Sequence, residues 1–162
     1  KNLEAFLSMD FDGSKVIVGD GPARAELEAK YPDVTFTGKL SDEDMVAHLQ
    51  NADIFTFPSK SETFGNVVTE ALACGLPVAA FDVTGPKDIL GRAKDVSKVG
   101  ALAKNGSSNA LALATKEALK TADRAACRAH AETFSWESVT DQFVSHLAPI
   151  TDQDIADMKQ AS

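Results

Sequence analysis

Short apolar runs alternate with amphipathic segments along most of the chain. The runs are rich in β-branched and aromatic residues, as buried strands are, and they cover residues 15–18, 34–37, 53–58 and 77–81, with a weaker run at 99–102. Between them, apolar residues recur at three- and four-residue spacing, which is the period of a helix. Strands separated by single helices predict βαβ units, and therefore a parallel sheet with helices on both faces.

Hydroxyl, glycine and proline residues mark where the predicted helices begin and end. Ser41 precedes three acidic residues, which suit the positively polarised first turn of a helix. Gly75 and Pro77 follow an apolar helical segment and predict its end. The predicted helices cover about 2–9, 22–30, a segment from Ser41, 66–74, a short segment from about 86, and most of the chain after 109.

This order of elements predicts an α/β fold with a Rossmann-like, doubly wound parallel sheet. A chain of 162 residues suits a single core. We expect that domain to span residues 1–150 and to be followed by a helical tail over 151–162, with a thin apolar edge at Ile155 and Met158. Ligands of such sheets bind at the carboxyl ends of the strands, so the loops after the first four strands are the candidates for a site.

Charge and cysteine content exclude several classes of function. The net charge is −8, whereas nucleic acids and anionic membranes require a basic face, so we expect neither as a partner. Cys74 and Cys127 form no C-x-x-C pair, and no apolar run reaches the ~20 residues of a membrane span. These features predict a cytoplasmic protein with reduced thiols. No cluster of histidine and acidic residues predicts a metal site.

The loop after the third predicted strand has the composition of a phosphate site. It contains Lys60 and Glu62 and ends at Gly65, where a helix begins. Free amide groups and the dipole at a helix start attract phosphate, and a glycine lets the ligand approach the backbone. In that helix we expect a buried stripe of Val67, Val68, Ala71 and Leu72. Glu70 lies outside the stripe, on the side of Asn66, and the wheel alone leaves open whether it is a binding residue or a solvated one.

This stretch resembles the signature of glycosyltransferase family 4, a family of retaining enzymes with the GT-B architecture of two facing Rossmann-like domains. The signature has two glutamates separated by seven residues, which correspond here to Glu62 and Glu70. Phe-Gly follows the first glutamate, and a small residue, Gly-x-Pro-Val, closes the block. Further pieces match in order: Lys1-Asn2-Leu3-Glu4, Val18-Gly19-Asp20-Gly21-Pro22, Val34-x-Phe36-x-Gly38, Ala52-Asp53 and Phe134-Ser135-Trp136-Glu137.

The resemblance implies a role for each matching residue. Glu70 corresponds to the glutamate that holds the ribose hydroxyls, and Glu62 to the one that contacts the transferred sugar. Lys1 corresponds to a lysine that neutralises the diphosphate, so Lys1 and Glu62 are the candidate catalytic residues. The other implied substrate-binding residues are Phe64, Gly65, Asn66 and Val67, which face sugar and phosphates, and Gly19, Gly38 and Lys39, which form walls of the nucleotide pocket.

The resemblance also implies what the whole protein does. It makes the chain the donor-binding half of a retaining glycosyltransferase that uses a UDP- or GDP-sugar without a metal or other cofactor. The acceptor would bind an N-terminal domain of the same protein, and any contact with the cytoplasmic face of a membrane would be made by that domain. Because the chain would contain only half of the cleft, we expect it to have no transferase activity by itself. The alternatives are a sugar-nucleotide epimerase-like GT-B domain and a flavodoxin-like regulatory or binding module.

Two features depart from the family pattern. The first strand of the family's domain and an arginine after it precede the position of Lys1. Therefore either residues precede Lys1 in the natural chain or another segment replaces this central strand. The second departure is at residues 84–88, where the family has paired glycines and a glutamate. Asp88 is the candidate to replace that glutamate, and Lys87 is either a phosphate partner or a solvated lysine.

Overall fold

The computed structural model describes residues 1–145, in which helices and short strands alternate as the sequence pattern predicts. All five predicted strands are present within two residues of their expected bounds. The helical C-terminal third divides into three helices. The elements are α1 (Leu3–Leu7), β1 (Val16–Val18), α2 (Arg24–Lys30), β2 (Thr35–Gly38), α3 (Asp42–Asn51), β3 (Phe55–Phe57), α4 (Asn66–Ala73), β4 (Val78–Phe81), α5 (Thr84–Gly91), β5 (Gly100–Ala103), α6 (Ser108–Thr121), α7 (Arg124–Glu132) and α8 (Trp136–Ser145).

Every strand pair is parallel, so the predicted α/β class is confirmed. β1 pairs with β2, and β3, β4 and β5 pair in that order. The strands of residues 1–145 thus form a two-stranded and a three-stranded sheet, with no strand joining β1 to β3. No described segment therefore replaces the central first strand of the family pattern. The residues that precede β1 form α1, because their apolar side chains have helical spacing.

The core lies on both faces of the three-stranded sheet. Residues 78–81 of β4 are all buried. Ala79 and Phe81 belong to a buried cluster with α6 residues such as Leu111. Successive side chains of a strand point to opposite faces, so Val78 and Ala80 contribute to the other face. The helices that contact β4 and β5 include α5 and α6, and α4 contacts β3 and β4.

Local interactions explain the bounds of several helices. Ser41 and Ser107 accept hydrogen bonds from the Asp44 and Ala110 amides, at 3.1 and 3.2 Å, and so cap α3 and α6. At the end of α4, the Leu76 amide donates to the Ala71 carbonyl at 2.9 Å and the Gly75 amide to the Leu72 carbonyl at 2.8 Å. With Gly75 at φ 75°, this is a Schellman motif, as the glycine predicted.

The chain divides into two compact units, Lys1–Glu132 and Thr133–Ser162. Unit 1 contains all the strands of the described residues. In unit 2, α8 begins after Ser135, whose hydroxyl accepts a hydrogen bond from the Ser138 amide at 3.1 Å. The predicted domain boundary at 150 and the predicted helical tail lie outside the described residues. Within residues 1–145, no helix is long and apolar enough to cross a bilayer.

Candidate functional site

The loop over residues 58–65 connects the carboxyl end of β3 to the start of α4. Ser59 is buried and donates a hydrogen bond to the Ser61 carbonyl at 2.9 Å, which holds the first turn of the loop. Gly65 precedes α4 with φ 92° and ψ 55°, a left-handed conformation that favours glycine. The Val68 amide donates to the Gly65 carbonyl at 2.8 Å, and no described side chain caps α4. The prediction of a loop that ends at Gly65, where a helix begins, is therefore confirmed.

The fold brings together the two residues predicted to be catalytic. Lys1 Nζ lies 2.7 Å from Glu62 Oε2, although 61 positions separate them in the chain. The Lys1 ammonium also lies 5.1 Å from the centroid of the Phe57 ring, and the Thr63 amide donates to Glu62 Oε1 at 3.1 Å. The hydrogen bond from Lys1, and then that from Thr63, lower the pKa of Glu62 below its ordinary value of 4.5.

One face of α4 is exposed beside this loop. Val68, Ala71 and Leu72 are fully buried, as predicted. Val67 is 41% exposed, so its assignment to the buried stripe was wrong. By ~100° per residue, it lies roughly 90° from the centre of the three buried residues, at the edge of the helix face that packs on the sheet.

Two other residues of the predicted binding segment are exposed like Val67, whereas Gly65 is buried. Phe64 is 47% exposed, and Asn66 is exposed as well. Glu70 is also exposed, and it forms no ion pair among residues 1–145. These side chains are therefore accessible to a ligand.

The two glycine turns predicted as walls of the nucleotide pocket meet each other. The Gly19 amide donates to the Gly38 carbonyl at 2.8 Å, and φ is 118° at Gly19 and 73° at Gly38. Lys39, next to this bridge, is exposed. A Cβ built at Gly38 would lie 2.6 Å from Nη1 of Arg24, whose Nε bonds Glu28 Oε1 at 2.8 Å. Arg24 was not predicted from the sequence, although its place two residues after Pro22 was a usable signal.

The start of α5 lies against the Glu62 loop at Gly85. A cavity of about 400 Å³ separates parts of the two segments. Lys87, predicted to be a phosphate partner or a solvated lysine, pairs with Asp82 at 3.2 Å. The close approach of Gly85 to the loop was also not predicted, because this contact joins segments about 20 positions apart in the chain. The cavity is lined by Lys60, Ser61, Glu62, Asp82, Val83, Thr84, Lys87 and Asp88.

The histidines of the described residues have structural contacts. His48 Nδ1 lies 2.8 Å from the Asp44 carbonyl, and buried His130 has Nε2 at 2.7 Å from the Ile89 carbonyl. Residues 1–145 contain no group of three or more histidine, cysteine, aspartate or glutamate side chains arranged to hold a metal. His146 lies outside the described residues.

Comparison with known proteins places this chain in an enzyme family. The family described as Glycosyl transferases group 1 matches residues 7–121, and the chain belongs to it. The chain is 41% identical over 86 residues to a GDP-mannose-dependent alpha-mannosyltransferase of Mycolicibacterium smegmatis, covering 53% of this chain and 23% of that protein. It is 32% identical over 151 residues to a GDP-mannose-dependent alpha-(1-6)-phosphatidylinositol dimannoside mannosyltransferase of Mycobacterium tuberculosis, covering 90% of this chain and 38% of that protein.

Solved structures agree on the fold. Sucrose-phosphate synthase from Thermosynechococcus elongatus superimposes with a TM-score of 0.70 and 25% identity, over 99% of this chain and 42% of that one. Anabaena HepE in complex with UDP superimposes with a TM-score of 0.67 and 22% identity, over 88% of this chain and 43% of that one. The chain thus spans less than half the length of these relatives and structures. Family membership favours the transferase interpretation over the epimerase-like and flavodoxin-like alternatives.

Proposed function

We propose that this chain is the donor-binding half of a family 4 glycosyltransferase. Such an enzyme transfers a sugar from a nucleotide diphosphate sugar to an acceptor and retains the anomeric configuration. The observation that carries the proposal is the Lys1–Glu62 pair, at 2.7 Å, in the loop that leads into α4. The loop and α4 together contain the two-glutamate signature, and the position of the loop at the carboxyl end of a parallel strand is where such folds bind ligands.

The diphosphate would bind between Lys1 and the start of α4. The Val68 amide already donates to the Gly65 carbonyl, but no described side chain caps α4, so the Asn66 and Val67 amides before it can donate to a phosphate oxygen. The Lys1 ammonium adds a full positive charge nearby. Together they would stabilise the negative charge that develops on the diphosphate as the glycosidic bond breaks. This arrangement requires no metal to neutralise the leaving group.

The two glutamates would then contact different parts of the donor. Glu70 lies within α4, and its exposed carboxylate can accept hydrogen bonds from the two ribose hydroxyls. Glu62 lies in the loop before Gly65 and would accept hydrogen bonds from hydroxyls of the transferred sugar. Because Lys1 already pairs with Glu62, the lysine would also hold that carboxylate in its charged form while positive charge develops on the sugar ring.

The donor class we propose is a UDP- or GDP-sugar, with GDP-mannose as the first to test. Two relatives named above are described as GDP-mannose-dependent, whereas the HepE structure contains UDP. The Gly19–Gly38 bridge and exposed Lys39 would form the base side of the pocket. The acceptor would bind a separate N-terminal domain of the same cytoplasmic protein, and that domain would make any contact with a membrane.

Glu70→Ala tests the nucleotide half of the proposal. Two charge-assisted hydrogen bonds are each worth ~1.5–3 kcal/mol, so we expect the affinity for GDP or UDP to fall at least about tenfold. Isothermal titration calorimetry with the 162-residue chain measures this change. Glu117→Ala is the matched control, because Glu117 is also an exposed helical glutamate, on α6. Equal affinities of the two variants, with the fold intact, would return Glu70 to the role of a solvated residue.

Glu62→Gln tests the sugar half. Glutamine keeps the size of the side chain and removes its charge. We expect nearly unchanged affinity for GDP alone, and a loss of whatever additional affinity GDP-mannose has over GDP. A variant that weakened both ligands equally, or neither, would contradict the assignment of Glu62 to the sugar. In a transferase that includes the acceptor domain, the same substitution should lower the transfer rate.

A further inference from the structure

The start of α5 presses against the backbone of the Glu62 loop at a single glycine. A Cβ built on Gly85 would lie 2.2 Å from the carbonyl oxygen of Phe64, 2.7 Å from its carbonyl carbon and 3.1 Å from Cγ of Glu62. Real Cβ atoms do not approach heavy atoms closer than 3.0 Å. The nearest atoms belong to the backbone, so they cannot rotate away as the end of a flexible side chain would.

Backbone conformation does not explain a glycine at this position. The glycines with positive φ in the described residues are Gly19, Gly38, Gly65 and Gly75, and Gly85 is not among them. Glycine within a helix lowers its stability relative to alanine. The fold thus uses an unfavourable helix residue at Gly85, and the contact with Phe64 is the physical reason.

The loop, and not α5, would have to move if a side chain were added. Gly85, Pro86, Ile89 and Leu90 of α5 are all buried, and Ile89 and Leu90 are completely so. The loop residue Thr63 is exposed, and Phe64 is 47% exposed. A packed helix resists displacement more than an exposed loop does, so an added methyl group would push residues 62–65 outward.

We propose that Gly85 is a positioning residue for the candidate donor site. Its bare α-carbon lets α5 support the loop from behind and so sets where the Glu62 carboxylate meets Lys1 and the sugar. The inference rests on the proposed function for its catalytic meaning, whereas the mechanical part, support of residues 62–65 by Gly85, stands on the contacts alone.

Gly85→Ala is the test, and the chain offers two matched controls. A Cβ at Gly100 would lie 2.1 Å from the Val78 carbonyl oxygen, a clash of the same size. That contact is at the start of β4 and β5, whereas the Glu62 loop follows the carboxyl end of β3. Gly100→Ala therefore reports what a similar clash does to the core alone. Gly91→Ala adds a methyl group to the last residue of α5, with nothing within 4 Å.

Two measurements separate positioning from general destabilisation. Hydrogen exchange by mass spectrometry on the 162-residue chain should show faster exchange over residues 62–68 in Gly85→Ala than in the wild type. Gly91→Ala should not show this change. Gly100→Ala should not show it either, even where its melting temperature falls as much as that of Gly85→Ala. Calorimetry should show that Gly85→Ala loses most of the additional affinity of GDP-mannose over GDP and keeps its affinity for GDP within about twofold. The double variant Gly85→Ala/Glu62→Gln should lose no more of this additional affinity than Glu62→Gln alone, since both substitutions act through one carboxylate.

Other outcomes distinguish the two proposals. Unchanged exchange over residues 62–68, or losses that merely follow the melting temperature as in Gly100→Ala, would overturn the role of Gly85. A wild-type chain that binds neither GDP-mannose nor UDP-glucose would defeat the proposed function, and hydrogen exchange would still decide the mechanical part. If Gly85→Ala does not fold, Ile89→Val tests whether α5 supports residues 62–65. It removes the methyl group that lies 4.0 Å from a Cβ built at Gly65, and it should speed exchange of the same loop to a smaller extent.

Discussion

At the scale of single residues, the proposed chemistry of the site depends on the pairing of Glu62. Its carboxylate accepts hydrogen bonds from the Lys1 ammonium and the Thr63 amide, and both favour the charged form. A pKa lowered in this way means that the Lys1–Glu62 interaction is fully present above the ordinary glutamate range and is lost as the pH falls through the lowered pKa. Glu62 therefore stays ionised to a lower pH than an unpaired glutamate does.

Carbon-detected NMR of the Glu62 carboxyl group can follow this titration directly. We expect the midpoint of its titration below 4.5 in the wild-type chain, and a shift back towards 4.5 in Lys1→Met, because the hydrogen bond from Lys1 is the largest cause of the lowered pKa. Lys60→Met is the control, since Lys60 lies in the same loop without pairing with Glu62 among the described contacts. An equal shift in both variants, or none in Lys1→Met, would mean that the ion pair does not form in solution.

At the scale of elements, α4 divides sharply into a packing face and an open face. Leu72 is fully buried between the sheet and neighbouring helices, whereas Val67 is 41% exposed. The same helix therefore anchors the loop through one face and presents candidate ligand contacts on the other. This division allows substitutions on the open face to change binding without changing the fold.

Alanine substitutions on the two faces of α4 should differ in their effect on stability. We expect Leu72→Ala to lower the free energy of unfolding by about 2–5 kcal/mol, because it removes a buried side chain from a packed core. Val67→Ala should change it by less than about 0.5 kcal/mol, as is usual for exposed positions. Urea denaturation of both variants measures the difference. Comparable losses would place Val67 in the core, as the helical wheel first indicated.

At the scale of the whole molecule, the proposed function makes the described residues one side of a cleft. Unit 1 contains the strands, the Glu62 loop and α4, and the chain covers 38% of the length of the phosphatidylinositol dimannoside mannosyltransferase that it resembles. Transfer requires an acceptor oriented against the donor and protected from water, and a second domain would supply both. The proposed function therefore predicts that donor binding and sugar transfer are separable.

We accordingly expect the 162-residue chain to bind nucleotide sugar without transferring it. The assay is the release of GDP from GDP-mannose in the presence of candidate acceptors, with calorimetry on the same sample to establish that the donor is bound. Adding the acceptor domain as part of one longer chain should then produce turnover. Measurable transfer by the 162-residue chain would show that it contains a complete active site.

Local sequence signals determined the elements of this protein, because strand and helix periods, caps and glycine turns act over a few neighbouring residues. They located every strand of the described residues, the end of α4 at Gly75 and the start of α4 at Gly65. These predictions needed only the sequence, since their physics is local. The family resemblance added Lys1 and Glu62 as candidate catalytic residues with separate roles, and only the structure shows that the two side chains pair.

Tertiary structure decided the features that depend on contacts between distant segments. Only packing shows that Val67 is open while Val68 is buried, since a helical wheel cannot tell how wide a face the sheet covers. The close approach of Gly85 to Phe64 also has no local signal, because it requires α5 and the loop to be fixed by the core. The division of the strands into two sheets is likewise a matter of pairing, which periodicity does not encode.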